Sequence, residues 1–227
     1  MSSFQAALAL PQEFGWSAQV RRVPTRTETP SRLQEADYRA LQLRESLGAR
    51  RGATEKFISR CFAQSFGATV ESFMPRLFAI GRDEKEICGA FGVRAASGRL
   101  FLEQYLDEPI EDLIAQHAGQ RVDRRSVVEV GHFSGAFPGA TRAMIALLTE
   151  RLHREGFDWV VFTGTAGLRN AFARLGLRPI DICPAEAGRL PEEQRQAWGS
   201  YYDHLPRVLV GNIHEGFRHI SAQGAAA

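Results

Sequence analysis

The sequence has few cysteines and no long hydrophobic run. Its 227 residues include three cysteines, whose wide separation does not match the spacing of a metal site: Cys61, Cys88 and Cys183. We therefore expect reduced thiols, a cytoplasmic location and no bound metal. No stretch is long and apolar enough to predict a membrane-spanning helix. We also expect no export signal, because the N-terminus lacks a basic segment followed by an apolar core.

The net charge is also small. A formal net charge of +2 argues against nucleic acid as the main partner. A hydrophobic content of 44% is ordinary for a globular protein, and 227 residues are enough for one substantial core. We predict a loosely ordered segment over residues 1–32, a single domain over residues 33–220 and a frayed C-terminal tail over residues 221–227.

The region from Arg125 to Pro179 carries the clearest structural pattern. Ser126–Phe133 is β-branched and apolar, as expected of a buried strand, and Asp158–Thr163 is a second such run. Between them, until Gly156 ends the helix, apolar residues recur with the helical period: Met144, Leu147, Leu148 and Leu152. A strand, helix and strand of this length form a right-handed crossover, so the two strands should be parallel and near neighbours.

Periodicity predicts the remaining elements, and their order indicates one mixed α/β domain. The predicted helices are Leu33–Leu47, Thr54–Phe66, Glu108–His117 and Pro191–Trp198. The predicted strands are Ser17–Val23, Phe73–Ile80, Glu86–Ala95, Arg99–Leu106, Pro179–Ile182 and Val208–Ile213.

The turn that follows Ser126–Phe133 has the composition of an anion site. Gly135 and Gly139 precede or open the central helix, and Arg142 adds a positive charge in its first turn. Backbone N–H groups at a helix N-terminus bind anions, and glycine lets a phosphate approach closely. The alternative is a tight strand-to-helix turn that binds no ligand.

Several motifs resemble known families. The order of elements in the central region, with its ending Arg174-Leu175-Gly176-Leu177, resembles the acetyl-CoA-binding half of the GCN5-related N-acyltransferases. Val128–Phe133 resembles the Glu-Leu-Ser-Arg-Phe strand of acyl-homoserine-lactone synthases. From about Ala53 to Gly216 the chain resembles the thermostable hemolysin family, on three further motifs: Phe101–Leu106, Phe162–Thr165 with Leu168–Asn170, and Trp198–Tyr202.

These resemblances imply an α/β fold with a GCN5-related N-acyltransferase-like mixed central sheet flanked by helices. They imply transfer of a medium- or long-chain acyl group from acyl-CoA or an acyl-carrier protein to a small-molecule amine. The acyl-CoA or acyl-phosphopantetheine would be a co-substrate and not a permanently bound cofactor, and a homodimer is a compatible assembly. The residues expected to bind the donor are Phe133, Ser134, Gly135, Gly139, Ala140, Thr141, Arg142 and Asn170.

The chain departs from these families at three positions. The turn lacks the acetyltransferase signature of Gln or Arg, two residues, Gly, one residue, and Gly or Ala, because Gly135 and Gly139 are too far apart. Phe172 stands where the general-acid tyrosine is usual, and His132 stands where the synthases have arginine. The departures at the turn and at Phe172 put the standard acetyltransferase mechanism in doubt and fit the synthase branch better.

Two glutamates are candidates for the general base. Glu103 and Glu129 each lie in an apolar run that predicts a strand. Desolvation in such a strand raises the pKa of a carboxyl group, which suits a base working near neutral pH. The alternative is that each glutamate pairs with a buried arginine or caps backbone groups. We predict Glu103 as the base.

Two further side chains are candidates for catalysis. His132 ends the strand beside the turn and could face the thioester, although a lone histidine in a strand is more often structural. Tyr201 or Tyr202 could supply the acid missing at Phe172, but adjacent residues point apart, so at most one of them does so.

Two other functions stay open at this stage. One is a membrane-active protein, which would need an exposed apolar face such as Phe57–Phe66, and the other is an inactive module that binds an acyl thioester. If the acyl chain lies between the sheet and the N-terminal helices, the predicted wall of its tunnel is Phe57, Phe62 and Phe78.

Overall fold

The computed structural model describes residues 40–136 and 138–225, which form a mixed sheet with helices on both faces. The predicted strand Ser17–Val23 lies outside these residues. The strands are β1 (Gln42–Glu45), β2 (Arg76–Gly81), β3 (Gly89–Ala95), β4 (Val127–Gly135), β5 (Trp159–Gly164), β6 (Ile180–Pro184) and β7 (Arg207–Asn212). Their order in the sheet is β1-β2-β3-β4-β5-β7-β6.

The helices cover the two faces of this sheet. They are α1 (Ala49–Phe66), α2 (Ile110–Ala118), α3 (Pro138–Arg154), α4 (Ala166–Arg174), α5 (Glu192–Ala197) and α6 (Ile213–Ala225). Short 3-10 turns occur at Leu102–Tyr105, Arg124–Ser126, Ala187–Arg189 and Tyr201–His204. The predicted mixed α/β sheet flanked by helices is therefore confirmed.

Alternation along the strands divides the core into two layers. Val128 and Val130 of β4 belong to the layer that holds Met144 and Leu148 of α3. Val127, their neighbour on the same strand, lies in the opposite layer, with α2. Helix α1 packs its buried side chains against β2 and β3 in a third cluster, which adjoins the second.

The predicted parallel pairing of the two strands is confirmed. Strands β4 and β5 are adjacent and parallel, and every other pair of neighbouring strands in the described sheet is antiparallel. Helix α3 connects them, and the turn after it contains Gly156, whose φ of 79° is a left-handed conformation that favours glycine.

The predicted strand Arg99–Leu106 is wrong. This segment contains the 3-10 turn Leu102–Tyr105, because side chains from elsewhere take its backbone groups. The Glu129 carboxylate accepts the N–H groups of Phe101 and Leu102, each at 2.9 Å. The Arg124 guanidinium donates to two carbonyls just before the segment, at 2.7 and 2.9 Å. These bonds replace the ladder that a strand would need.

Both ends of the described chain also differ from the sequence prediction. The C-terminal part of the predicted helix Leu33–Leu47 is β1, because Gln42–Glu45 pairs with the edge of β2. At the other end, α6 continues to Ala225, so the described part of the predicted frayed tail is helical. The sequence analysis did not predict α6, whose apolar face packs on the sheet through Ile213.

Candidate active site

Strands β4 and β5 separate at one end. Their parallel pairing runs from Val127 with Trp159 to Val130 with Phe162 and then stops. Strand β4 nevertheless continues to Gly135, and β5 continues to Gly164. Beyond the last pair, the facing edges carry backbone N–H and C=O groups that do not pair with each other. The gap opens into a large cleft.

A β-bulge lies on β4 beside this gap. Ala90 pairs with Ser134 and Gly92 pairs with Gly131, so one residue of β3 faces two residues of β4, His132 and Phe133. His132 has a φ of 54°, which is rare for a residue other than glycine. Such a bulge takes a residue out of the ladder and redirects its side chain and backbone, here toward the cleft. The Ser134 hydroxyl donates to the His132 carbonyl at 3.0 Å and braces the bulge.

The cleft has a volume of about 1980 Å³ and brings together most of the predicted site residues. Its lining includes Glu129, His132, Phe133, Ser134, Gly135, Gly139, Thr141, Arg142, Asn170 and Tyr201. Two predicted residues, Glu103 and Ala140, do not line it. Ala140 is fully buried in the first turn of α3, where it supports the turn instead of facing a ligand.

One side of the cleft is aromatic, and most of this aromatic wall was not predicted. The wall consists of Phe62, Phe66, Phe73, Phe101, Tyr105, Trp198 and Tyr201. Its members come from α1, from the segment after α1 and from two of the motifs that resemble the hemolysin family. Those motifs were the available signal, but their aromatic residues are far apart in the sequence.

Of the three predicted tunnel residues, Phe62 alone lines the cleft. Its ring lies 5.7 Å from that of Trp198. Phe78 is 1% exposed and stacks on Phe91 in the core on the α3 side of the sheet, so its assignment to the tunnel is wrong. Phe57 packs against the α1 cluster and does not line the cleft, so its assignment is wrong as well.

Glu129 lies at the bottom of the cleft with only 3% of its surface exposed. Burial raises the pKa of its carboxyl group, although the N–H groups of Phe101 and Leu102 act in the opposite direction. The predicted raised pKa is therefore found for Glu129. Each carboxylate oxygen accepts one backbone bond and keeps capacity for another.

Glu103 does not have the environment that the sequence predicted. It lies in the 3-10 turn, and Arg124 donates to both of its oxygens, at 2.6 and 3.0 Å. Desolvation raises its pKa, but hydrogen bonds from Arg124 and from the Leu100 backbone outweigh this effect and hold the pKa below its ordinary value. The argument for Glu103 as a base with a raised pKa is thus wrong. Its carboxylate anchors Arg124.

His132 is neutral at physiological pH in this site. Burial lowers its pKa to about 4, and the charge of Arg94 acts in the same direction. Its Nδ1 atom is buried and has no hydrogen-bond partner among the described residues. The ring also makes a hydrogen bond to the Ser72 backbone, so His132 is held in place by the segment after α1.

The structure distinguishes the two adjacent tyrosines. The Tyr201 hydroxyl lines the cleft and donates to the Thr163 carbonyl at the end of β5, at 3.4 Å. Burial raises its pKa, so the phenol keeps its proton. Tyr202 instead shares a 2.6 Å hydrogen bond with the Tyr105 hydroxyl. Tyr201 is therefore the tyrosine placed to act in the cleft.

The predicted anion turn joins the bulge to α3. The Ala136 N–H donates to the Cys88 carbonyl at 2.9 Å and fixes the turn to the start of β3. A Cβ atom on Gly135 would lie 3.3 Å from the Thr141 hydroxyl, which is tight, so glycine suits this position. Asn170, on α4, is exposed and also lines the cleft.

Comparison with known proteins identifies the fold and the family. The fold is GCN5-related N-acyltransferase-like, and solved structures that resemble it include TofI in an apo form, with a TM-score of 0.54 at 17% identity over 80% of this chain and 95% of that one. The chain belongs to the thermostable hemolysin family, whose model matches residues 45–217. No curated protein matches the sequence.

Two further structures have a similar shape. FeeM, an N-acyl amino acid synthase from uncultured soil microbes, superposes with a TM-score of 0.51 at 11% identity, over 78% of this chain and 92% of FeeM. BjaI, a CoA-dependent acyl-homoserine lactone synthase with SAM and isopentyl-CoA, has a TM-score of 0.51 at 10% identity, over 81% of this chain and 88% of BjaI. Within residues 40–136 and 138–225, no helix combines the length and hydropathy needed to cross a bilayer.

Proposed function

We propose that this protein is an N-acyltransferase that moves a medium- or long-chain acyl group from acyl-CoA or an acyl-carrier protein to an amine. The observation that carries the proposal is the gap between β4 and β5, which opens beside a bulge into an apolar cleft. BjaI uses CoA thioesters and FeeM makes N-acyl amino acids, and their likeness in fold supports this reaction class. A cytoplasmic location and a homodimer remain predictions of the proposal.

The gap suits the pantetheine arm of the donor. Its two amide groups can hydrogen-bond to the open edges of β4 and β5, in the way that an added strand pairs with a sheet edge. The turn around Gly135 and Gly139 lies at the mouth of the gap, where the N-terminus of α3 favours a phosphate. Asn170 also lines the cleft and is a further candidate to bind the donor.

The bulge suits the thioester carbonyl. In the proposed step, the amine nitrogen attacks the carbonyl carbon, a C–N bond forms, and the C–S bond breaks. Backbone N–H groups at the bulge, beginning at Phe133, stabilise the oxyanion of the intermediate. A donor held in this position is stabilised most in the transition state, because charge develops on its oxygen only there.

Proton transfer is assigned to two side chains of the cleft, Glu129 and Tyr201. Glu129 takes a proton from the acceptor nitrogen so that the neutral amine can attack, because burial raises the pKa of its carboxyl group and so its affinity for a proton. His132 is neutral and therefore adds no charge beside the base. Tyr201 donates its proton to the departing thiolate and recovers it from solvent or from the protonated base.

The aromatic wall provides the space for more than an acetyl group. A cleft of about 1980 Å³ far exceeds the volume of a two-carbon acyl chain, and its wall is built from seven aromatic side chains. Burial of each methylene group is favourable by about 0.8 kcal/mol, so a longer chain should bind more tightly.

A thiol-release assay tests the proposal. Purified protein is incubated with acetyl-, octanoyl- or palmitoyl-CoA, or with the matching acyl-carrier proteins, and with a panel of amines. We expect amine-dependent thiol release and the corresponding amide by mass spectrometry, with longer chains preferred over acetyl. Thr163→Trp, which fills the gap, should abolish turnover, whereas Ser221→Trp on the exposed face of α6 should not.

Two results would contradict the proposal. Binding of acyl-CoA with no thiol release for any amine would indicate an inactive thioester-binding module. Failure to bind any acyl-CoA or acyl-carrier protein, in protein that melts cooperatively, would remove the donor assignment altogether.

A further inference from the structure

Arg94 is the charged residue that the proposed chemistry leaves unused at the bottom of the cleft. It lies on β3 directly opposite Glu129 in the sheet register, so both side chains stand on the same face. Both line the cleft, beside His132 and the aromatic wall. Arg94 is half-buried, and the sequence analysis did not single it out.

The Arg94 guanidinium makes no hydrogen bond or ion pair with another described residue. Its register partner Glu129 uses both oxygens to hold the N–H groups of Phe101 and Leu102. By contrast, the partly buried Arg124 donates to two glutamates and two backbone carbonyls. The donors of Arg94 are thus free to bind a ligand in the cleft, and a carboxylate matches the planar fork of a guanidinium.

We propose that Arg94 binds the carboxylate of the acceptor, so that the acceptor is an amino acid with an apolar side chain. The proposal rests on the N-acyltransferase function proposed above. In an α-amino acid the amine is two bonds from the carboxylate, and cross-strand neighbours such as Arg94 and Glu129 lie about 5 Å apart at Cβ. A carboxylate on Arg94 therefore places the amine near the proposed base, and the side chain reaches the aromatic wall.

A merely structural role for Arg94 predicts a different result. If its charge only stabilises the Glu129 carboxylate, its removal should change the stability of the fold and weaken all acceptors equally. If Arg94 binds a carboxylate, its removal instead changes the ratio of two affinities, the affinity for an amino acid and the affinity for the amine that lacks its carboxylate. That ratio is the quantity to measure.

The experiment uses the full chain and five matched pairs of probes. Each pair is an apolar L-amino acid and its decarboxylated amine, made from leucine, methionine, phenylalanine, tyrosine and tryptophan. Calorimetry gives the affinities of wild type, Arg94→Met, which keeps an apolar stem, and Arg94→Lys, which keeps the charge but loses the fork. Arg125→Met is the matched control, because Arg125 is exposed and lies outside the cleft.

For wild type we expect at least one amino acid to bind ~10- to 100-fold more tightly than its amine. Arg94→Met should bring that ratio close to one, Arg94→Lys should leave it intermediate, and Arg125→Met should not change it. In the acyl-transfer assay, the loss should appear in the KM of the amino acid and not in that of the amine.

Each contrary outcome has a distinct meaning. Equal affinity for amino acids and amines in wild type, no binding of any probe, or a ratio unchanged by Arg94→Met would overturn the inference. Binding of octanoyl-CoA, measured in parallel, separates the two proposals. If octanoyl-CoA binds and turns over with amines while the ratio stays at one, the acyltransferase stands and the role of Arg94 is refuted.

Discussion

Replacing Glu129 with glutamine removes the proposed base and keeps the shape of its side chain. The carboxylate now accepts two backbone N–H groups, from Phe101 and Leu102, at 2.9 Å each. An amide offers one oxygen, so one of these bonds is lost and an NH2 group faces a backbone donor. The substitution therefore has a structural cost that must be separated from the catalytic one.

The two effects differ in size. Loss of one hydrogen bond to a charged group costs about 1.5–3 kcal/mol of stability, which corresponds to a fall in Tm of roughly 3–12 °C for a chain of this size. Removing a buried charge offsets part of that loss, because burial raises the pKa of Glu129 and so disfavours its charged form. Loss of a general base typically lowers kcat by ~10²–10⁴-fold, well beyond what such a stability loss would cause in a protein that remains folded.

The pH dependence adds a second signature. The folded pKa of Glu129 is raised above 4.5, so its contribution to stability is greatest below that pH and is lost as the pH rises through the folded pKa. Activity should rise over the same range, because the base must be unprotonated. In Glu129→Gln, both the ascending limb of activity and this part of the stability profile should disappear.

The experiment compares Glu129→Gln with Glu103→Gln. Tm is measured for each variant, and kcat is measured at a temperature well below the lower of the two Tm values. Glu103 is a matched control because it is also a partly buried glutamate of the same region, yet it is paired with Arg124 and does not line the cleft. We expect it to lose stability and keep near wild-type kcat. Near wild-type kcat in Glu129→Gln would refute the assignment of the base, and a selective loss in Glu103→Gln would restore the original prediction from the sequence.

Three further predictions concern other parts of the molecule. Gly139→Val should weaken octanoyl-CoA binding ~10-fold or more with little change in Tm, because its side chain would project into the predicted anion turn; unchanged affinity would exclude a phosphate there. Tyr201→Phe should lower kcat by up to ~10²–10⁴-fold, whereas Tyr202→Phe, which loses a 2.6 Å phenol–phenol hydrogen bond, should lower only Tm; equal effects on kcat would contradict the assigned acid. Hydrogen bonds from Arg76 are the main reason that the pKa of Glu155 is lowered to about 2. The contribution of this carboxylate to stability is therefore present above pH 4.5 and is lost as the pH falls through about 2. Glu155→Gln should accordingly lose roughly 1–3 kcal/mol at neutral pH and show a flatter acid limb in urea titrations, and an unchanged limb would refute that linkage.

The sequence by itself determined the central crossover and the type of most elements. Asp158–Thr163 is too apolar for an exposed strand, and the helical period around Met144 ends at Gly156, so β5 and α3 follow from local pattern alone. The cluster of small residues after Phe133 likewise located the turn between β4 and α3. These signals depend only on residues that are neighbours in the chain, so they can be recognised without knowledge of the fold.

Tertiary structure alone decided the chemistry of the site. Glu103 and Glu129 are similar in local sequence, but Arg124 neutralises the first, while the second is buried beneath a segment that starts 28 residues earlier in the chain. The point at which β4 and β5 separate, and the bulge opposite Phe91, depend on strand register, which hydrophobic pattern does not specify beyond the choice of face. Arg94 has open donors because Glu129, its neighbour across the sheet, already binds the N–H groups of Phe101 and Leu102. That arrangement exists only in the assembled fold.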